Sequence, residues 1–102
     1  MTQYHKPKEI IFVDTDWELT MDTETDVSAM VVTQIHFRKP NKKSWYKRNA
    51  TVVGTDYLRI DVSHTDNNVH GDWTFRTYCV DAAGKIYKGT FYVKNIHKDW
   101  IE

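Results

Sequence analysis

Cysteine is nearly absent from this 102-residue chain. Cys79 stands alone, which excludes an internal disulfide and any zinc site built on cysteine. Proline and glycine are scarce too, at two and four residues, and no internal repeat or low-complexity segment is visible. Leucine and alanine are few, and no apolar run approaches the roughly 20 residues needed to span a bilayer. The polar start after Met1 leads into no apolar stretch, so neither a signal peptide nor a membrane segment is expected. Signatures of catalysis are missing as well: no glycine-rich phosphate loop, no serine in a nucleophile elbow, no cysteine–histidine pairing with a local signature. The carboxylates lie in solvated acidic runs rather than singly in apolar settings that would shift a pKa. The reading is a non-enzyme that needs no cofactor.

Net charge is also absent, with 14 basic residues against 14 acidic ones. That balance conceals a separation along the chain. Asp14, Asp16, Glu18, Asp22, Glu24 and Asp26 form an acidic segment without a base, and Arg38, Lys39, Lys42, Lys43, Lys47 and Arg48 a basic one without an acid. Either these are solvated loops and strand faces, or the molecule is bipolar and its acidic patch meets the basic patch of a neighbour. Trp45 and Tyr46 sit inside the basic segment, where cations on phosphates and rings on bases would suit a nucleic acid. Overall neutrality argues against that, because dedicated nucleic-acid domains are usually basic. Alternation also puts the two rings on opposite faces, one of them toward the core. The same rings would serve a sugar platform, but nothing marks a planar triad.

Two acidic loops invite a metal. His64, Asp66, His70 and Asp72 offer imidazoles and carboxylates, yet at a spacing that matches no ligand pattern. Residues 22–26 alternate acids as the start of a calcium loop does, without the glycine and the later glutamate that complete one. No metal is expected at either.

What the chain has in quantity is β-formers: four Trp, six Tyr and four Phe, with abundant valine and threonine. The clearest stretch is 71–93. Trp73, Phe75, Thr77 and Cys79 alternate with Thr74, Arg76, Tyr78 and Val80, and Asp81 to Gly84 closes a tight turn. The returning strand carries Tyr87, Phe91 and Val93 on one face, and Gly89 marks a bulge or a close approach. Further strands are read at 10–13, 17–22, 28–38, 44–53 and 57–62, with turns at 14–16 and 40–43 and a polar loop at 63–70. Seven or so short strands with almost no helix signal predict one all-β domain, an antiparallel β-sandwich. Its expected core is Phe12, Trp17, Leu19, Val31, Ile35, Phe37, Leu58, Ile60, Val62, Trp73, Phe75, Phe91 and Val93. A polar N-terminal arm at 1–9, the sandwich at 10–94 and a tail at 95–102 complete the division. Trp100 and Ile101 make the tail's tip apolar, which marks them as candidate docking residues.

Four pieces of sequence carry a resemblance. They are Ile35-His-Phe-Arg-Lys-Pro40 with its polar turn, Trp45 with Ala50-Thr-Val-Val-Gly-Thr55, and the alternating Leu58, Ile60 and Val62. The fourth is Gly71-Asp-Trp73-Thr-Phe75 with the hairpin ending in Phe91-Tyr-Val93. Over roughly 10–94 the chain resembles small phage virion proteins with an immunoglobulin-like β-sandwich, found alone or as amino-terminal domains of baseplate and tail-fibre proteins. A glycine is usual where this chain has Asn41-Lys42-Lys43. The resemblance implies a structural component of a bacteriophage particle, in the tail, baseplate, head–tail connector or capsid surface, made in the host cytoplasm. It brings no catalytic residues. The expected partners are other virion proteins, including copies of the chain itself, and not a membrane, nucleic acid or small molecule. The competing class is a carbohydrate- or host-surface-binding module.

Overall fold

A computed structural model of the chain describes residues 10–98. It contains nine strands: β1 (Ile11–Phe12), β2 (Trp17–Asp22), β3 (Val32–Arg38), β4 (Tyr46–Asn49), β5 (Thr51–Val53), β6 (Tyr57–Val62), β7 (Gly71–Val80), β8 (Ile86–Lys88) and β9 (Tyr92–His97). Among the described residues there is no helix, and so none long and apolar enough to cross a membrane. The larger sheet runs β1-β9-β7-β3-β4, with β8 also on β7, and the smaller runs β2-β6-β5. Every pairing is antiparallel except β1 on β9, which is parallel.

Both sheets turn one face to a shared core. Trp17, Leu19 and Met21 of β2 and Leu58, Ile60 and Val62 of β6 meet Ile35 and Phe37 of β3 and Trp73, Phe75 and Cys79 of β7. Trp17 sets its ring edge-on to Phe75 across the two sheets, 5.7 Å between centroids. Burying side chains of this kind contributes about 1.5–3 kcal/mol each. Trp73 is fully buried and its indole Nε1 donates to the Val69 carbonyl at 2.8 Å, so the one polar atom of the ring is satisfied. Asn67, also fully buried, donates from Nδ2 to the carbonyls of Phe12 (2.8 Å) and Thr15 (2.9 Å), tying the 63–70 loop to the β1–β2 turn. Cys79 is buried and burial pushes its thiol pKa up, as suits an inert packing residue.

The strand expected at 44–53 divides. Tyr46–Asn49 pairs with β3 in the larger sheet, and Thr51–Val53 pairs with β6 in the smaller. Ala50 is the crossing point: its N–H donates to the Thr33 carbonyl and its own carbonyl accepts from Thr33 Oγ1, both at 2.9 Å. A threonine hydroxyl thus holds the chain where the ladder ends.

The returning strand of the last hairpin divides as well. Cys79 faces Tyr87 in the β7–β8 register, whereas Phe75 faces Tyr92 and Trp73 faces Lys94 in the β7–β9 register. One extra residue therefore lies between Gly89, whose N–H donates to the Thr77 carbonyl, and Tyr92. This is a β-bulge with Thr90 and Phe91 opposite Arg76. It flips the alternation, so Tyr92, Lys94 and Ile96 turn inward, while Phe91 and Val93 turn outward at 56% and 54% exposure. The expected core placement of Phe91 and Val93 is corrected on this ground. Gly89 is required by close approach: a Cβ there would collide with Thr77 Oγ1.

Smaller corrections follow from the ends of strands. Val31 precedes β3 at the sheet's rim and stays 66% exposed. Ile11 rather than Phe12 enters the core, because Ile11 registers with the buried Ile96. Met21, Val27, Cys79 and Ile96 complete the core alongside it. Residues 95–97, assigned to the tail, continue β9. Asn41 adopts the left-handed φ of 61° where a glycine was anticipated, which asparagine tolerates. The arm at 1–9 and the tip with Trp100 and Ile101 lie outside the described residues.

Candidate functional site

Alternation along β3 and β7 leaves a second face of the larger sheet directed away from the core. The register sets His36 beside Arg76 on one side and Lys47 on the other, Tyr78 beside Lys88, and Arg38 beside Thr74. Trp45, immediately before β4, points the same way. The bulge then delivers Phe91 and Val93 to this face. The result is a cationic, aromatic surface assembled from five strands and the residues flanking them.

Its centre is a ladder of four side chains. Trp45 stacks on Phe91 with centroids 5.8 Å apart and rings 19° from parallel. The Arg38 guanidinium lies 5.0 Å from the Trp45 ring and that of Arg76 lies 4.3 Å from the Phe91 ring. Arg76 also donates from Nε and Nη2 to the Gly89 carbonyl, at 3.4 Å each, which anchors it to the bulge. Each cation–π contact contributes about 0.5–1 kcal/mol at an exposed site and, more usefully, holds long side chains still. Next to the ladder His36 stacks on Tyr78 at 4.4 Å and its Nε2 lies 2.9 Å from Gln34 Oε1. Burial, and then the charges of Lys47, Arg76 and Lys88, hold the His36 pKa below the usual imidazole value. Among the described residues no carboxylate pairs with Arg38, Lys47, Arg76 or Lys88. Asp72, at the end of the face, accepts from Asn95 Nδ2 at 2.8 Å.

The basic segment is therefore split by the pleat. Arg38, Trp45 and Lys47 reach the outer face. Tyr46 turns inward and stacks on Phe37, 5.1 Å apart and 5° from parallel. Arg48 covers the other part of Phe37 and pairs with Asp66, whose carboxyl is held below its ordinary pKa chiefly by that bond. Lys39 is buried between the Tyr46 and Trp73 rings, donating from Nζ to Asn68 Oδ1 at 3.0 Å. These three close the rim of the core, Lys39 buried, Arg48 half-buried and Tyr46 still 40% exposed. Lys42 and Lys43 stay exposed in the turn.

The acidic residues gather on the smaller sheet and its loops. Glu18 on β2 faces Asp61 on β6 and reaches Arg59 at 3.7 Å, and Asp22 shares this side of the sheet. Asp16, in the preceding turn, accepts from the His64 backbone N–H at 2.6 Å and from its Nδ1 at 3.0 Å, which lowers its pKa. Asp22 and Asp26 accept from the backbone N–H groups of Glu24 and Ser28, fixing their own loop. Asp14 and Glu24 take positive φ in tight turns. Asp16, Glu18, Asp61 and Ser63 border an open depression beside Trp17 and Val62, whose own side chains are buried in the core.

The loop carrying His64, Asp66, His70 and Asp72 does not converge, because His64 is taken by Asp16, Asp66 by Arg48 and Asp72 by Asn95. Among the described residues no three potential metal ligands come together. Sequence reasoning did not single out Arg76, Phe91, His36, Tyr78, Lys88 or Asp61. The period-two pattern of β7 already turned Arg76 and Tyr78 away from Trp73, so those two were legible; Phe91 was hidden by the bulge. No family model matches the chain, and no curated protein is significantly similar to it.

Proposed function

We propose that this chain is a non-enzymatic structural subunit of a bacteriophage particle, held in place by protein–protein contacts of the larger sheet's outer face. The virion setting, whether tail, baseplate, head–tail connector or capsid surface, rests on the resemblance. The docking role rests on one observation: the Arg38–Trp45–Phe91–Arg76 ladder is preassembled, half-buried with Phe91 exposed, and unpaired with acid. Tryptophan and arginine dominate the energetics of protein interfaces, and a ladder already locked by stacking loses little entropy on docking. A sugar platform calls for bare ring faces, whereas Trp45 and Phe91 cover each other and each carries a guanidinium. We read the architecture as immunoglobulin-like, supported by two sheets over one core, Trp73 at its centre and the strand that changes sheets at Ala50.

Quantitative peptide mass spectrometry of gradient-purified particles from the source tests the reading. The expected result is a fixed ratio to the major capsid protein, and strong depletion of Trp45→Ala protein that is otherwise folded. Abundance in infected cells with absence from particles would remove the structural role.

A further inference from the structure

We infer that the partner of the ladder is a second copy of the same chain, docked head to tail against the acidic depression of the smaller sheet. This deepens the docking reading and depends on it. The two surfaces complement each other in charge. One is a ridge of two stacked rings between two guanidinium groups, with no carboxylate of its own. The other is an open hollow bordered by Asp16, Glu18 and Asp61, in which Asp16 is bonded to His64, Glu18 reaches Arg59, and Asp61 is the carboxylate left for a partner. The guanidinium groups meet the carboxylates, Asp61 first among them, where bidentate pairing is the strongest form available.

The charge pattern of the whole chain favours a like partner. Basic and acidic residues number 14 each, so a copy brings no net repulsion, only a segregated pair of surfaces. The two surfaces lie on the outer faces of sheets that share one core, so they point away from each other and one neighbour does not engage both. The contact is heterologous and repeats, closing into a ring or running on as a filament. Exposed charge pairs are screened over about 8–10 Å at moderate salt, so association weakens with salt.

Sedimentation of the full chain over a concentration series, at low and at high salt, tests this. Wild type is expected to self-associate, more weakly at high salt. Arg76→Glu spoils only the ridge and Asp61→Lys only the hollow; each alone should weaken association at least about tenfold. Mixed together, the intact hollow of R76E accepts the intact ridge of D61K, giving a one-to-one pair and nothing longer. Trp45→Ala, which changes no charge, should reproduce the R76E loss, and circular dichroism confirms that each variant is folded. Loss with R76E but not D61K would mean a ridge-to-ridge contact and overturn the proposal. So would a monomer at every concentration, including one that instead binds single-stranded oligonucleotide with steep salt dependence. If the chain is monomeric and Trp45→Ala still fails to enter particles, the docking face stands and only the identity of its partner falls.

Discussion

At the scale of single residues, neighbours in sequence have opposite fates. Arg38 lies on the outer face against Trp45, while Lys39 is buried between Tyr46 and Trp73. Lys47 points outward beside His36, while Arg48 caps Phe37 and pairs with Asp66. Composition marks all of them as basic, and only the pleat sorts them. His36 gives a pH test at this scale. It faces Gln34, Tyr78, Lys47, Arg76 and Lys88, and burial with those three cations lowers its pKa. The folded value lies below the unfolded one, so the neutral ring contributes stability above about pH 6.5. That contribution is lost as pH falls through the folded value. Urea midpoints are therefore expected to drop between about pH 7.5 and 5.5. His36→Gln should flatten that drop, and identical slopes for both proteins would refute the assignment to His36.

At the scale of elements, two strands decide the site by breaking. The β8–β9 bulge moves Phe91 from the expected core to the ladder, and the crossing at Ala50 lets one segment serve both sheets. Gly89 was legible as a bulge or close approach, but not the direction in which the extra residue would turn its neighbours. That depends on which β7 residues Gly89 and Tyr92 engage. Gly89→Ala is expected to destabilise by about 1–3 kcal/mol through overpacking against the β-branched and stiff Thr77. Because the Cβ clash is with Thr77 Oγ1, adding Thr77→Ala should recover part of the loss. Denaturant unfolding of the two single variants and the double one measures the coupling. Additivity would show that Gly89 is needed for some other reason.

For the whole molecule, stability and docking sit on opposite sides of the same sheet. Trp73→Ala empties the centre of the core and should cost about 3–5 kcal/mol, a large part of the roughly 5–15 kcal/mol that holds a domain folded. Trp45→Ala removes a ring from the outer face and should cost no more than about 2 kcal/mol. Equilibrium unfolding of both variants separates the roles, and a Trp45→Ala protein as unstable as Trp73→Ala would mean that the ladder is a second core. Charge is also uneven between the sheets, in two poles: the ladder on the larger carries no acid, whereas Glu18, Asp22 and Asp61 lie on the smaller with Arg59 among them. The acidic segment at 14–26 anticipated one pole. The other pole draws Arg38 and Lys47 from the basic segment but Arg76 and Lys88 from far along the chain.

By itself the sequence determined the all-β class and the core-facing sides of β2, β3, β6 and β7, Cys79 included. Each of these follows from a period of two, or from burial implied by that period. Only the tertiary structure decided the number of strands, the outward turn of Phe91 and Val93, and the gathering of Arg38, Trp45, Arg76 and Phe91. Those depend on strand register, and a shift of one residue exchanges the two faces of a strand without changing its pattern.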